Sequence, residues 1–395
     1  MRIQSSQKIY LEYPGLYSSV GIGTNPLWQA LRTESIGPQP LEGASEYWPQ
    51  QQAYPIQNLN LSFLGVDRKT LRTMTRQSHL ALYGARLSLA QMAPSIKQNG
   101  HTCGLYLGLP TVDEEIPSWS VLERLETRPS LEDLATLFLR ETPPFSGLTF
   151  LNSSACAHIS ATFELTGALA TFSPFSDAGL QALIEGALSL VENENDMALV
   201  GAVSPGVTPV RILQYDALAW HSPQYLGEGV ASLMLRKGDT TESGVWIAGY
   251  GRTFGTTLDD RADALSHAIA QALDMAKVHP SDIHWILADS PWTEINRQAQ
   301  HHALETHFME RRNALPILSA ERVTGILGPA QPLMHVLLAQ HGMRQGRRLL
   351  QNPDGTLQEE ALIGEQSVLV IACGVYGQCV AVILQGRHPC PRASL

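Results

Sequence analysis

Cys156 and His158 stand two residues apart in Ser153-Ser154-Ala155-Cys156-Ala157-His158, a thiol and an imidazole at a spacing that suggests a nucleophile and its base. On an extended strand, side chains at i and i+2 share a face, so the imidazole would be placed to take the thiol proton. The competing reading makes Cys156 a small buried hydrophobe, the common fate of a free cysteine. His301, His302 and His307 fall on a helical stretch and read as ordinary exposed histidines, because no acidic partner pattern accompanies them. The five cysteines, Cys103, Cys156, Cys373, Cys379 and Cys390, are odd in number and irregular in spacing. They give neither a disulfide framework nor a zinc ligand set, and free thiols in a reducing cytoplasm account for them. No metal site is expected. A hydroxyl at Ser176 and a carboxyl at Asp177 stand where the apolar, strand-like run Ala168–Phe175 gives way to a helix, Leu180–Val191. Asp177 there would face the positive end of the helix dipole.

The elements that position these groups alternate between helix and strand through most of the 395 residues, which favours an α/β class. Asp67–Ala90 predicts one long helix, with Leu71, Met74, His79, Leu82, Ala85 and Leu89 at three- and four-residue steps. Gly104–Leu109 and Met197–Val203 read as strands, and Pro110–Pro144 as a helical insertion. Beyond these, Ala231–Leu235, Trp246–Tyr250 and Ile283–Ala288 read as strands. Ala262–Ala276 and Leu333–Ala339 read as helices, and Val368–Ile371 with Cys379–Leu384 as a hairpin. Two halves, 1–215 and 216–395, leave room for a duplicated fold.

Bulk properties narrow the function. A net charge of −10 and no basic cluster argue against nucleic-acid binding, and charged residues at 16% suggest surface buried in an oligomer. The opening residues lack a signal-peptide layout, and no apolar run reaches bilayer length, so a cytoplasmic protein without a membrane span is expected.

The order of segments resembles a β-ketoacyl-acyl-carrier-protein synthase, and that resemblance implies the thiolase fold, a duplicated five-layer αβαβα architecture. Gly15–Gly23 and Pro26–Leu31 resemble the family's first strand and its W-x-A-L helix, and Asp67–Ala90 the helix after the first loop. Gly227-Glu228-Gly229 resembles the glycine-rich turn that opens the second half. Gly374-Val375-Tyr376-Gly377 resembles the C-terminal Gly-Phe-Gly-Gly loop, with Val375 in place of the aromatic gate and Tyr376 in place of a glycine.

Active members of that family attack a thioester with a cysteine at a strand-to-helix turn, where the helix N-terminus lowers its pKa. The segment Ala157-His158 through Gly167 matches without a gap, and its register places Ser176 at the nucleophile position. Leu287-Ala288-Asp289-Ser290-Pro291-Trp292-Thr293 matches the motif of the first histidine and puts Asp289 there. Glu321-Arg322-Val323-Thr324-Gly325-Ile326 matches the lysine and second-histidine motif, with Glu321 and Ile326 at those two positions. The histidines donate to the thioester carbonyl and stabilise the enolate, work that isoleucine cannot do and an ionised aspartate would oppose.

The resemblance therefore implies a degenerate ketosynthase of the chain-length-factor kind, more narrowly the ketosynthase-like subunit of aryl polyene pathways. Such a subunit has no cofactor and heterodimerises with an active ketosynthase, meeting acyl carrier protein through the complex. Ala168, Ala170, Phe172 and Phe175 would lie on the strand that pairs across the dimer axis, and Gly374, Val375, Tyr376 and Gly377 would border the acyl tunnel. The alternative is a stand-alone serine acyltransferase or thioesterase using Ser176 with Asp289, for which the relaying histidine is missing.

Overall fold

Two largely buried helices, α3 (Asp177–Val191) and α6 (Ala330–Gln345), pack against each other at the centre of the molecule, each between two halves of a mixed β-sheet. In the computed structural model, the residues described are 7–41, 52–92, 102–111, 130–141, 151–217, 225–257, 260–289, 294–309, 315–351, 356–362 and 364–387. Most of the insertion at 110–144, Ser290–Thr293 and Cys390 lie outside them. Helices apolar around most of their circumference need cover on more than one side, and sandwiching them between sheets buries Leu180, Leu183, Ile184, Leu333, Leu337 and Leu338 completely.

The main sheet is built from β1 (Gln7–Ser18), β2 (Cys103–Gly108), β3 (Leu169–Phe172), β4 (Met197–Pro205) and β5 (Glu228–Asp239) in its first half. β6 (Gly244–Phe254), β7 (Ile283–Ala288), β8 (Ile317–Leu318), β9 (Glu365–Cys373) and β10 (Gln378–Arg387) form the second. The order is β8-β7-β9-β10-β6-β1-β5-β4-β2-β3, with the short strand Gly21–Ile22 folded back on β1. Outward from the centre, each half runs through the same pairings: antiparallel, antiparallel, parallel, parallel. Each strand of the first half thus has a topological counterpart five strands later. Among the described residues, the two half-sheets pair with each other through Ile9 with Ile247 and Tyr10 with Trp246.

Helices α1 (Arg76–Leu89) and α2 (Ser153–Phe163) cover the outer face of the first half, and α4 (Asp260–Ala276) and α5 (Glu294–Phe308) that of the second. The layers run helix, sheet, helix, sheet, helix, as expected of the duplicated five-layer fold. The repeat turns over in the connection after Asp239, because β5 closes the first unit. A division near residue 215 would fall in the helix Pro209–Ala217, inside that unit.

The expected long helix Asp67–Ala90 is two. A single turn, Arg68–Leu71, is capped by Asp67, whose carboxylate accepts from Thr70 N, and α1 restarts after Thr75, whose hydroxyl accepts from Ser78 N. Apolar periodicity is blind to this break, since threonine and aspartate side chains here satisfy backbone donors that a continuous helix would have used. The strand expected at Ala168–Phe175 spans only Leu169–Phe172. Ala168 precedes it, and Phe175 lies beyond Pro174, fully buried in another cluster. The hairpin, the strand Ile283–Ala288 and the helix after Ser176 form as expected.

Candidate functional site

The N-termini of α3 and α6 face each other across the centre, and four segments converge there. Ser176 immediately precedes α3, Asp289 follows β7, Ile326 lies in the turn before α6, and Gly374–Gly377 joins β9 to β10. Close approach at this point depends on glycine: a Cβ on Gly179 would stand 2.3 Å from the carbonyl oxygen of Pro329 at the start of α6. A Cβ on Gly374 would lie 2.5 Å from Asp177 Oδ1 and 2.6 Å from Gln378 Oε1.

The Ser176 hydroxyl donates to the Cys373 carbonyl oxygen over 2.9 Å. The loop is held from its other side by Arg261, which donates to Val375 O at 2.7 Å and to Asn296 Oδ1 at 2.9 Å. Val375 packs against a buried apolar cluster, while Tyr376 is 60% exposed, its ring edge-on to Phe175 at 5.3 Å.

Asp289 is buried against Ser176 and Asp177. Burial pushes its carboxyl up to about 7, the nearby Ser176 hydroxyl opposing the rise and the Asp177 charge adding to it. Asp177 is likewise pushed up to about 7 by burial, against the pull of its own backbone N–H. Beside Asp289 stands His335, a residue with no part in the sequence-based expectation. It is fully buried on α6, and burial alone depresses its imidazole to about 3.

His335 Nε2 accepts from Ala320 N at 3.1 Å, which assigns the proton of the neutral ring to Nδ1, 3.6 Å from Asp289 Oδ1. Gln331 Nε2 lies 3.1 Å from the same Nε2. Both Asp289 oxygens, Asp177 Oδ1, Gln331 Oε1 and Gln378 Oε1 are buried without a hydrogen-bond partner in the protein. Such a knot favours neutral over ionised carboxyls.

Ile326 belongs to an apolar plug with Phe175, Ile212, Tyr215 and Leu226. Its backbone is fixed on both sides, N–H to Tyr225 O at 2.8 Å and C=O from Gly227 N at 2.9 Å. A cavity of about 10 Å³ bordered by Pro110, Ser204, Tyr215, Leu226, Ile326 and Pro329 is at the lower limit for one water. Glu321 opens a short helical turn and, at 8% exposed, is an interior residue.

Cys156 and His158 do not converge. They lie on α2, not on a strand, and helical residues two apart point to different sides. Cys156 is buried, its thiol pushed up to about 12 by burial, an inert state. The histidines of α5 have separate partners, His301 with Glu305 at 3.2 Å, His302 with Asp263 at 3.7 Å and His307 with Ser266. Among the described residues, no cluster of histidine, cysteine, aspartate or glutamate could hold a metal ion. Nor does any helix among them have the length and apolarity to cross a membrane.

Paired helix N-termini between two topologically matched half-sheets, closed over by a glycine-rich hairpin loop, define a ketosynthase-like protein of the thiolase fold. The family description "Beta-ketoacyl synthase, N-terminal domain" matches residues 15–240, and the chain belongs to that family.

A Streptomyces rimosus protein named as an oxytetracycline polyketide beta-ketoacyl synthase 1 is 22% identical across 97% of this chain and 98% of its own length. A Streptomyces halstedii protein named as a polyketide beta-ketoacyl synthase 1 is 25% identical over 62% of this chain and 67% of its own. Among solved structures, the ishigamide ketosynthase/chain length factor superposes with a TM-score of 0.79 at 17% identity, covering 97% of this chain and all of that one. A type II polyketide acyl carrier protein in complex with its ketosynthase bound to the hexaketide gives 0.76 at 17% identity, with the same coverage.

Proposed function

We propose that the chain is a non-catalytic, chain-length-factor-like subunit that pairs with an active ketosynthase in type II polyketide elongation. One observation carries the reading. Where the two central helices meet, the chain presents a hydroxyl turned to a backbone carbonyl, two buried carboxyls pushed up to about 7, and an isoleucine packed under Phe175. Condensation at that point needs a thiolate and two imidazole donors, and losing one such donor typically costs about 2.7–4 kcal/mol of transition-state stabilisation. The partner would supply all three, and acyl carrier protein would dock through the complex. Relatives named for polyketide synthases and a neighbour named as a ketosynthase/chain length factor support this reading. Assignment to an aryl polyene pathway is its narrower form, tested by the product the complex makes.

The edge strand β3 fits a partner strand. Leu105 N donates to Ala168 O and Leu109 N to Phe172 O, so the even-numbered residues spend their backbone groups on β2. The N–H and C=O groups of Leu169 and Thr171 therefore face outward, ready for strand addition. Ala170 and Phe172 turn their side chains to the core. Co-expression with a ketosynthase from the same gene neighbourhood tests the proposal: a stable heterodimer with condensing activity is expected. A well-behaved homodimer that ignores every such partner would refute it.

A serine acyltransferase is favoured by one fact, the gathering of Ser176, Asp289 and His335. Its order is wrong for proton relay: the aspartate stands between serine and histidine, and the hydroxyl is spent on Cys373 O. An acyl adduct at Ser176 after incubation with acyl carrier substrates would reinstate it.

A further inference from the structure

We propose that Cys373 and Cys379 are a thiol modification site, joined by a disulfide when the chain meets a peroxide. The two residues face each other in register across β9 and β10, at the base of the Gly374–Gly377 loop. Their sulfurs already stand 4.0 Å apart. Gly374 N donates to Gln378 O in the neighbouring pair, so Cys373 and Cys379 occupy a non-hydrogen-bonded position, where antiparallel strands approach most closely, about 4.5 Å between Cα atoms. That spacing falls inside the window a disulfide spans. The remaining described cysteines are buried in the first half, Cys103 on β2 and Cys156 on α2, in a different core cluster from Cys373 and Cys379.

The step balances with one peroxide. The half-buried Cys373 gives up its proton and attacks a peroxide oxygen; the S–O bond forms as the O–O bond breaks, leaving a sulfenic acid, and the departing hydroxide takes up that proton as water. Cys379 then displaces the sulfenic oxygen, which departs as a second water carrying the Cys379 proton. Two thiols and one peroxide give one disulfide and two waters. The groups facing Cys373 set the pace: the Cys379 thiol, burial and the Asp289 charge hold its pKa well up, and Arg261 pulls it down. The reaction is accordingly slow at neutral pH and speeds up as pH rises. The product would fix the base of a loop already tied to Ser176 and Arg261, independently of whether the chain has a catalytic partner.

The test uses the full chain, treated with hydrogen peroxide at pH 8, denatured, blocked with N-ethylmaleimide and weighed. Of five cysteines, two are expected to escape labelling, with peptide mapping placing the bridge between 373 and 379 and dithiothreitol restoring both labels. Hydrogen exchange at the Gly374–Gly377 amides is expected to slow by roughly tenfold on oxidation. Cys379→Ser should abolish the bridge, and Cys373→Ser gives the same reading should the first variant fail to fold. Five labels after oxidation, a bridge to another cysteine, or sulfonic acids in place of a bridge would overturn the proposal.

Discussion

The hydroxyl of Ser176, at the mouth of one central helix, is hydrogen-bonded to the main-chain oxygen of Cys373 on the opposite half of the molecule. A hydroxyl so engaged clamps two segments together and leaves no proton for a base. Ser176→Ala is expected to lower stability by about 1 kcal/mol, the usual worth of such a bond, and to leave the condensing rate of the reconstituted complex within about twofold. Urea denaturation and a product assay read the two effects. A loss of activity of 100-fold or more on an intact complex would make the serine catalytic.

Asp289 and Asp177 are pushed up to about 7, above the unfolded value near 3.9. The folded chain therefore binds more protons than the unfolded chain between those limits. Their contribution to stability is fully present below about pH 4 and is lost as pH rises through about 7. His335, depressed to about 3, works in the opposite sense, its contribution present above about 6.5 and lost as pH falls. Comparison with Asp289→Asn separates the two. The variant should be more stable than the parent by about 1–4 kcal/mol at pH 8 and nearly equal to it at pH 4.5. A gap that does not change with pH contradicts the burial argument.

Phe175 is fully buried between Ile326 and the exposed ring of Tyr376. Phe175→Ala is expected to cost about 3–5 kcal/mol through the cavity it leaves. Chemical denaturation measures this, and a cost below about 1 kcal/mol would mean that the neighbouring loop collapses into the space.

Thr171 stands in register with Leu107 of β2, but its own N–H turns outward, because the hydrogen bonds to β2 run through the even-numbered residues. Thr171→Pro removes that donor alone. Binding to the ketosynthase partner should weaken by at least about tenfold, with the isolated chain's melting temperature shifted by no more than about 3 °C. Analytical ultracentrifugation and calorimetry decide it; unchanged affinity removes β3 from the interface.

Much of the fold was legible because its signals are local and strong. Ile283–Ala288 is a short, mostly apolar run of strand length, and Leu180–Val191 is apolar around most of its circumference, with Gln181 and Glu185 at one four-residue step. What escaped was set by partners distant in sequence or by single caps. Thr75 breaks a periodic helix without disturbing its periodicity. Cys156 and His158 share a face only if their segment is a strand, and it is a helix. His335 carried a faint signal, a lone imidazole in Leu333–Ala339, but its neighbour Asp289 is brought alongside only by the pairing of β7 with β9 over α6. The edge role of Leu169–Phe172 was visible as an apolar run, whereas the removal of Phe175 to the plug depended on where the chain turns after Phe172.

The two outermost strands are unequal. β3 has four residues, and its counterpart β8 has two, Ile317 and Leu318. A sheet able to recruit neighbours at both ends is the unit of a fibre. Under the proposed strand addition at β3, the two-residue β8 offers no second rim of that length, so one addition would leave no template for the next and a closed pair, not a polymer, would follow.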